Sequence, residues 1–430
     1  MRCTRIVFRS LAFRALIALV VMASADAAGQ GPPLSSTTTS PNTGCTVRET
    51  SRTPLLVDGL REIYIEPTAV LPSRSGILFA GTPNYLYAPG FPEQFRDFVQ
   101  DSVFGAVLGT DGRARLVPAP IDPTRIKGVR GVALNDGSWA VAFAELKHPW
   151  QGHVPDTVVR FWHGIYDGRA WSRIEQLPTP PAGEMKMAGA SSLVVRGDTL
   201  FFAVRVVEPK GGFNIALFER RQGSWKVTVV RTDASYARLT YSDSAGLLLA
   251  VVRADATMQR DANSLFLHSR ESGWATSRKI IQGHPEPVHD PVFSGSSDGP
   301  VLTWWVLLPT GGRQARAMIG TLDQGSPVLT LDSLIVGVVP VIGRGGAPLW
   351  VTEHLESPTS SELRVVARGV DGTPTVVART PNPYTGPFAA AAPSAEEMIL
   401  SGPLLRRESA HPSLVTLLIR TRVECAPRAP

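Results

Sequence analysis

A chain of 430 residues with 43% hydrophobic and 19% charged residues describes a globular protein with ample core. The formal net charge is +6, and no Lys/Arg run interleaved with aromatics is present, which argues against a nucleic-acid partner. Glycine (39) and proline (36) are abundant, as a chain full of tight turns needs.

At the start, Arg2, Arg5, Arg9 and Arg14 precede the apolar run Ala15–Ala23, and Ala23-Ser24-Ala25 or Ala25-Asp26-Ala27 suits signal peptidase. The run is well short of the roughly 20 residues that span a bilayer. Residues 1–27 are therefore expected to be a signal peptide, and the protein to be secreted or periplasmic without a stable membrane anchor. Residues 28–44 (AGQGPPLSSTTTSPNTG) are rich in Ser, Thr, Pro and Gly and read as a flexible linker. Residues 45–430 are expected to form a single domain. Loss of the signal removes Cys3 and leaves Cys45 and Cys425, near the two ends of that domain. An exported chain with two cysteines so placed suggests a disulfide, the alternative being two buried thiols.

From Ile63 onward a four-strand unit recurs, each strand a short run rich in Val, Phe and Thr bounded by turn residues. The first unit holds YIEPTAVLP, GILFAGT, SVFGAVLGTDG and RARLVPA, and the second begins at Lys127. Met185–Arg231 is the most legible copy, with strands Ala188–Val195, Thr199–Val207, Phe213–Glu219 and Trp225–Arg231. The glycine that opens each fourth strand falls at Gly112, Gly168, Gly223, Gly273, Gly325 and Gly372, spaced by 56, 55, 50, 52 and 47 residues. Four strands per near-constant period predict an all-β fold, a seven-bladed β-propeller of antiparallel blades. Six blades, or two stacked β-sandwiches, are the alternatives. The seventh unit has only three strands, FAAAAPS, EMILSGPLL and SLVTLLIRTRVEC. The strand CTVRETSRTPLLV at Cys45–Val57 has no unit of its own. Pairing it beside Ser413–Cys425 completes the last blade, leaves no open edge and brings the two cysteines onto neighbouring strands.

Three fourth strands share a glycine followed by tryptophan: Gly168-Arg-Ala-Trp171-Ser172, Gly223-Ser-Trp225 and Gly273-Trp274. The fifth unit adds His289-Asp290-Pro291-Val292-Phe293, Ser297-Asp298-Gly299 and Leu302-Thr303-Trp304-Trp305. This pattern resembles the blades of the sialidase-like, Asp-box-related β-propeller superfamily. Tyr166-Asp167-Gly168-Arg169-Ala170-Trp171 is a degenerate form of the family's Asp-box, and the Arg-Ile-Pro of true sialidases is missing. The resemblance implies fold more than activity. The tryptophans are expected to pack between blades.

In a propeller the loops from fourth to next first strand, and from second to third, gather on one face around the channel. The longest is Thr82–Asp101, whose Tyr85, Tyr87, Phe91 and Phe95 suit a lid, a partner surface or plain cover. The loop Glu145–His153 offers Glu145, His148, Trp150 and His153. No metal is expected there for want of a third ligand, whereas Trp150 suits a sugar. The loop Gln282–Pro291 holds His284, Glu286, His289 and Asp290, and Asp290 either caps the turn or serves as an acid at the channel mouth. Arg125, Arg205, Arg238 and Arg253 lie near loop junctions of that face, where converging guanidiniums clamp a carboxylate. Glu353-His354 and Tyr384 belong to the same face, with Tyr384 a nucleophile in the sialidase manner or an ordinary turn residue.

Catalytic candidates are thus Asp290, Glu145 and Tyr384, and ligand-binding candidates Arg125, His148, Trp150, Arg205, Arg253 and His289. No cofactor is implied, because phosphate-loop, His-Glu-x-x-His and Gly-x-Ser-x-Gly signatures are all missing. The expected function is a monomeric binding module for carbohydrate or protein at the loop-rich face. A sialidase-like glycoside hydrolase is the alternative, and a purely structural envelope protein with a plugged apolar channel the third reading.

Overall fold

A computed structural model describes residues 35–36 and 45–425. It leaves out 58–60, 63–66, 82–102, 149–157, 181–190, 208–212, 232–233, 243–245, 255–262 and 407–412, together with 272, 275–276, 284–285, 297–298, 321, 324, 344–346, 370 and 395. The expected signal peptide and the loop Thr82–Asp101 lie outside the described residues.

The described strands form seven antiparallel sheets, one per unit. Blade one is Pro67–Ser73, Gly76–Gly81, Val103–Gly109 and Ala114–Pro118; blade two is Ile126–Ala133, Trp139–Leu146, Val158–Tyr166 and Trp171–Gln176. Blade three is Ser191–Arg196, Thr199–Val207, Phe213–Arg221 and Ser224–Arg231, and blade four Ala234–Ser242, Gly246–Ala254, Asn263–Ser269 and Ser277–Ile281. Blade five is Val288–Ser296, Gly299–Leu307, Arg313–Ile319 and Leu329–Ser333; blade six is Ile335–Pro340, Leu349–Ser357, Ser360–Arg368 and Pro374–Pro381. Blade seven joins Ala389–Ser394, Glu397–Arg406 and Ser413–Cys425 to the N-terminal strand Cys45–Pro54. The first strands contact one another in sequence around the ring, including that of blade seven against that of blade one. The structure is the seven-bladed propeller, not the six-bladed or sandwich alternative.

Position within a blade explains its sequence. A second strand is flanked by neighbouring blades on both faces, so all eight residues of Trp139–Leu146 are buried. The outermost strand of the same blade, Trp171–Gln176, is mostly exposed and carries Ser, Arg, Glu and Gln. The third and fourth strands of blade three are joined at Gln222-Gly223, both with positive φ (49° and 83°), and Arg221 pairs with Ser224. Two consecutive left-handed residues make the hairpin turn whose twist matches the strands, and glycine takes that shape without a Cβ clash.

Tryptophans tie several blades to the one before. The Trp139 indole donates to Leu71 O of blade one (2.8 Å), Trp171 to Pro118 O of blade one (2.8 Å), Trp225 to Glu175 of blade two (3.1 Å) and Trp350 to Thr303 of blade five (2.9 Å). Trp274 packs into the core shared by blades three and four. Room for Trp171 depends on Gly164, where an added Cβ would lie 2.8 Å from the indole. Trp350 is fully buried. Trp350→Ala is therefore expected to destabilise the protein by about 3–5 kcal/mol, read as a lowered denaturation midpoint, because truncation leaves both a cavity and an unpaired Thr303 hydroxyl.

The N-terminal segment runs along the outside of three blades. Ser35–Ser36, inside the stretch read as a flexible linker, pairs with Ala378 and Arg379 on the outer strand of blade six. Cys45–Pro54 completes blade seven in a register that sets Cys45 opposite Cys425. Val57 then pairs with Ala114 on the outer strand of blade one. On the channel side, Ile342–Gly343 leaves blade six, pairs in parallel with Ala391–Ala392 on the first strand of blade seven, and touches the first strand of blade five.

Candidate functional site

The loop-rich end of blades three to five gathers a charged cluster. Tyr236 and Arg238 stand two apart on the first strand of blade four and so share one side of it. Across the blade boundary, Arg238 Nη2 donates to Asp290 Oδ1 at 3.1 Å. Asp290 is presented by a bulge: His289 pairs with Trp305 while Val292 pairs with Thr303, and Asp290 itself sits at φ 41°. A bulge with a left-handed residue re-aims one side chain, here toward blade four. Its carboxylate thus holds a guanidinium from the neighbouring blade.

Arg205 comes from the second strand of blade three, with its guanidinium 4.3 Å from the Phe213 ring centroid. Burial lowers its pKa, against the opposing effect of the Tyr236 phenol. The Tyr236 phenol is pushed up by burial and then by the Asp290 charge, with Arg238 and Arg205 pulling the other way. Its neutral hydroxyl is able to donate a hydrogen bond. Arg316 pairs with Glu286 at the start of blade five. His289 stacks on Trp305 with centroids 4.2 Å apart, and Arg313 lies over the other part of the assembly at 4.6 Å from the Trp305 ring. Burial lowers the His289 pKa, with Arg313 adding to the effect, so its imidazole is neutral at physiological pH. Four guanidiniums thus face two carboxylates, giving the mouth a positive balance.

The remaining candidates separate. Arg253 lies over Phe266 at 3.7 Å and donates to Ser277, toward the outer strand of its own blade. Arg125 pairs with Glu145 (2.9 Å), whose other oxygen accepts from the Trp162 indole (2.9 Å). Glu145 is buried in that arrangement, a brace between the loop and second strand of blade two, instead of an open acid. His148 is exposed, whereas Trp150, His153 and His284 lie outside the described residues. Tyr384 does not reach the mouth as a nucleophile: it is buried, stacked on Phe388 (5.8 Å), and burial raises its phenol far above the ordinary range. Glu353 accepts from Ser361 Oγ and Asn382 Nδ2, both at 2.9 Å, and burial raises its carboxyl pKa. Its neighbour His354 sets Nδ1 3.1 Å from Asp332 Oδ1, and Asp332 also accepts from Thr352 (2.7 Å) and Arg364 (3.3 Å). Among the described residues no group of three or more His, Cys, Asp or Glu side chains is placed to hold a metal ion.

Sequence reading missed Tyr236 and Arg316, and the contacts of Trp305 with His289 and Arg313. A signal for the first existed in the spacing, since Tyr236 and Arg238 at i and i+2 on a first strand must face the same neighbour.

No protein-family model matches the chain, and no curated protein matches it in sequence. Among solved structures it is similar to a protein of unknown function from Dyadobacter fermentans DSM 18053, with TM-score 0.47, 11% identity, and 88% of this chain and 99% of that one covered. It is also similar to an α-L-arabinofuranosidase of Fusarium graminearum in complex with arabinobiose (TM-score 0.44, 10% identity, 71% and 95% covered). A third similar structure is the Trypanosoma rangeli sialidase in complex with 2,3-difluorosialic acid (TM-score 0.40, 10% identity, 75% and 56% covered). At these identities, what those proteins act on says nothing of this chain's ligand.

Proposed function

We propose that the protein is a binding module whose mouth-face cluster takes an acidic carbohydrate. The observation that carries this reading is the Arg238–Asp290 ion pair across the boundary of blades four and five, with Tyr236 and Arg205 beside it. Guanidiniums bind a carboxylate, a phenol and a carboxylate serve sugar hydroxyls, and the Trp305–His289 stack supplies a flat surface. The positive balance adds attraction for an anionic ligand, so affinity falls with salt.

The test is a glycan array followed by titration of the purified mature protein with sialyllactose, a uronic-acid oligosaccharide and neutral lactose. Acidic glycans are expected to bind, and Arg238→Ala to weaken them about tenfold or more, in line with a lost charge-assisted hydrogen bond. Equal binding of neutral and acidic glycans, or an Arg238→Ala protein that binds as well as the parent, would overturn the reading.

A glycoside hydrolase remains the second reading because the Glu353 carboxyl holds its proton to higher pH through burial, as a general acid must. Turnover of aryl glycosides or sialosides that is lost in Glu353→Gln and Asp290→Asn would establish it. The proposal also takes the chain to be exported and monomeric, with Cys45 and Cys425 joined as a disulfide; intact mass of the exported protein before and after reduction and alkylation decides the last point.

A further inference from the structure

Seven large apolar side chains are notably exposed among the described residues, and four of them fall together on the mouth face of blades five and six: Leu307, Leu334, Val336 and Leu355. Backbone contacts make them continuous. Leu355 N donates to Leu334 O (2.9 Å), Leu307 stands directly opposite Arg313, and Arg313 Nη1 donates to Val336 O (2.9 Å).

The backbone is shaped to expose them. Leu334, 55% exposed, has φ 56°, a left-handed conformation that is a genuine outlier for a bulky residue. Val336 is the extra residue of a bulge, because Ile335 pairs with His354 and Gly337 with Glu353. Without the bulge the strand's alternation would bring Val336 and its neighbours to opposite sides. Two successive irregularities thus hold two apolar side chains in solvent, where burial would ordinarily be favoured.

The ledge also carries a charge. Arg313 is exposed beside Leu307 and is steadied over the Trp305 ring, so its guanidinium is held at the ledge. We propose that this ledge docks a protein partner through an extended segment that places a large apolar side chain next to a carboxylate. The apolar residue covers Leu334, Val336 and Leu355, and the carboxylate meets Arg313. A small area of this kind gives a weak, reversible contact. The ledge adjoins the mouth cluster and shares Arg313 with it; peptide binding read on Leu334→Gly and glycan binding read on Arg238→Ala keep the two readings distinguishable.

The test is selection of a random peptide display library on the immobilised full chain, followed by titration of the enriched peptides. Leu334→Gly is the decisive variant: glycine adopts φ 56° without strain, so the fold is kept while the apolar group goes. Enriched peptides are expected to pair Leu or Phe with Asp or Glu. They should bind Leu334→Gly at least tenfold more weakly, and Arg313→Glu should shift selection toward basic flanks. No enrichment, or enriched peptides that bind Leu334→Gly unchanged, would overturn the proposal. Two other outcomes would also overturn it: a concentration-dependent dimer abolished by Leu334→Gly, which assigns the ledge to a second copy, and Leu334-dependent retention on phosphatidylglycerol vesicles.

Discussion

A chain lacking residues 1–54 is expected to fail as a folded monomer, appearing in aggregates or as protease-sensitive protein. The missing strand is the outer strand of blade seven, so its loss bares Leu417–Cys425, an edge with unpaired backbone groups. It also strips core. Val47 is fully buried and Cys45 nearly so, both in the cluster shared by blades six and seven. Arg52 and Glu49 form a two-bonded ion pair at 3.0 Å, and Arg52 reaches Thr380 on blade six (3.4 Å). Milder lesions separate these contributions. Val47→Asp places a charge in that core and is expected to cost about 3–5 kcal/mol. Cys45→Ser tests the proposed bridge, which would close a loop of nearly the whole domain and contribute on the order of 4–5 kcal/mol in the entropic model. Thermal melts with and without reductant are the measurement. Should reduction leave the parent's midpoint unchanged, ring closure rests on strand pairing and packing alone.

The second large effect is acid sensitivity at the seam between blades two and three. His163 is fully buried, with Nδ1 3.1 Å from Glu175 Oε1, its ring against Trp225, and Nε2 without a hydrogen-bond partner. Glu175 only accepts, so the neutral imidazole carries its proton on Nδ1, and a second proton would sit on a buried, unpaired Nε2. Burial dominates and lowers the His163 pKa to about 4, with Glu175 opposing and Arg220 and Arg173 assisting. For Glu175 burial acts upward, but the Trp225 indole, Arg220 and Arg173 together hold its carboxyl below the ordinary value. The unfolded chain takes up the histidine proton near pH 6.5 and the folded chain near 4. Stability from this site is therefore full above about pH 6.5 and falls as the pH drops toward 4, by roughly 3 kcal/mol in all. Denaturant unfolding of the parent and of His163→Gln across pH 4.5–7.5 is the check. The slope below pH 6.5 should be shallower in the variant; parallel slopes would remove His163 from the account. Glu175→Gln should weaken the protein at every pH in that range, because Arg173 and Arg220 both lose their carboxylate partner.

Much of the fold was legible because it is written in local patterns. The largely apolar second strands, the turn glycines at near-constant spacing and the tryptophan after Gly168, Gly223 and Gly273 each follow from neighbouring blades pressing on both faces of a sheet. The unmatched strand at Cys45 and the three-stranded last unit needed each other, so ring closure could be read before any coordinates. The mouth was only partly legible. His289, Asp290, Arg205 and Arg238 were placed on the right face by counting loops, yet nothing local told that Arg205 and Arg238 converge while Arg125 and Arg253 turn to partners in their own blades. Side-chain direction there depends on bulges, and a bulge is one residue's departure from an otherwise regular alternation. Asp290 at φ 41°, Val336 in its bulge and Leu334 at φ 56° carry no glycine to announce them. Tyr384 shows the opposite failure, an ordinary-looking turn residue that tertiary packing buried. Strand period, blade count and closure were thus determined by the sequence alone, since backbone pairing and burial repeat every two residues and every unit. Which charges meet at the channel mouth was decided only in the tertiary structure, where register between separate blades sets the distance.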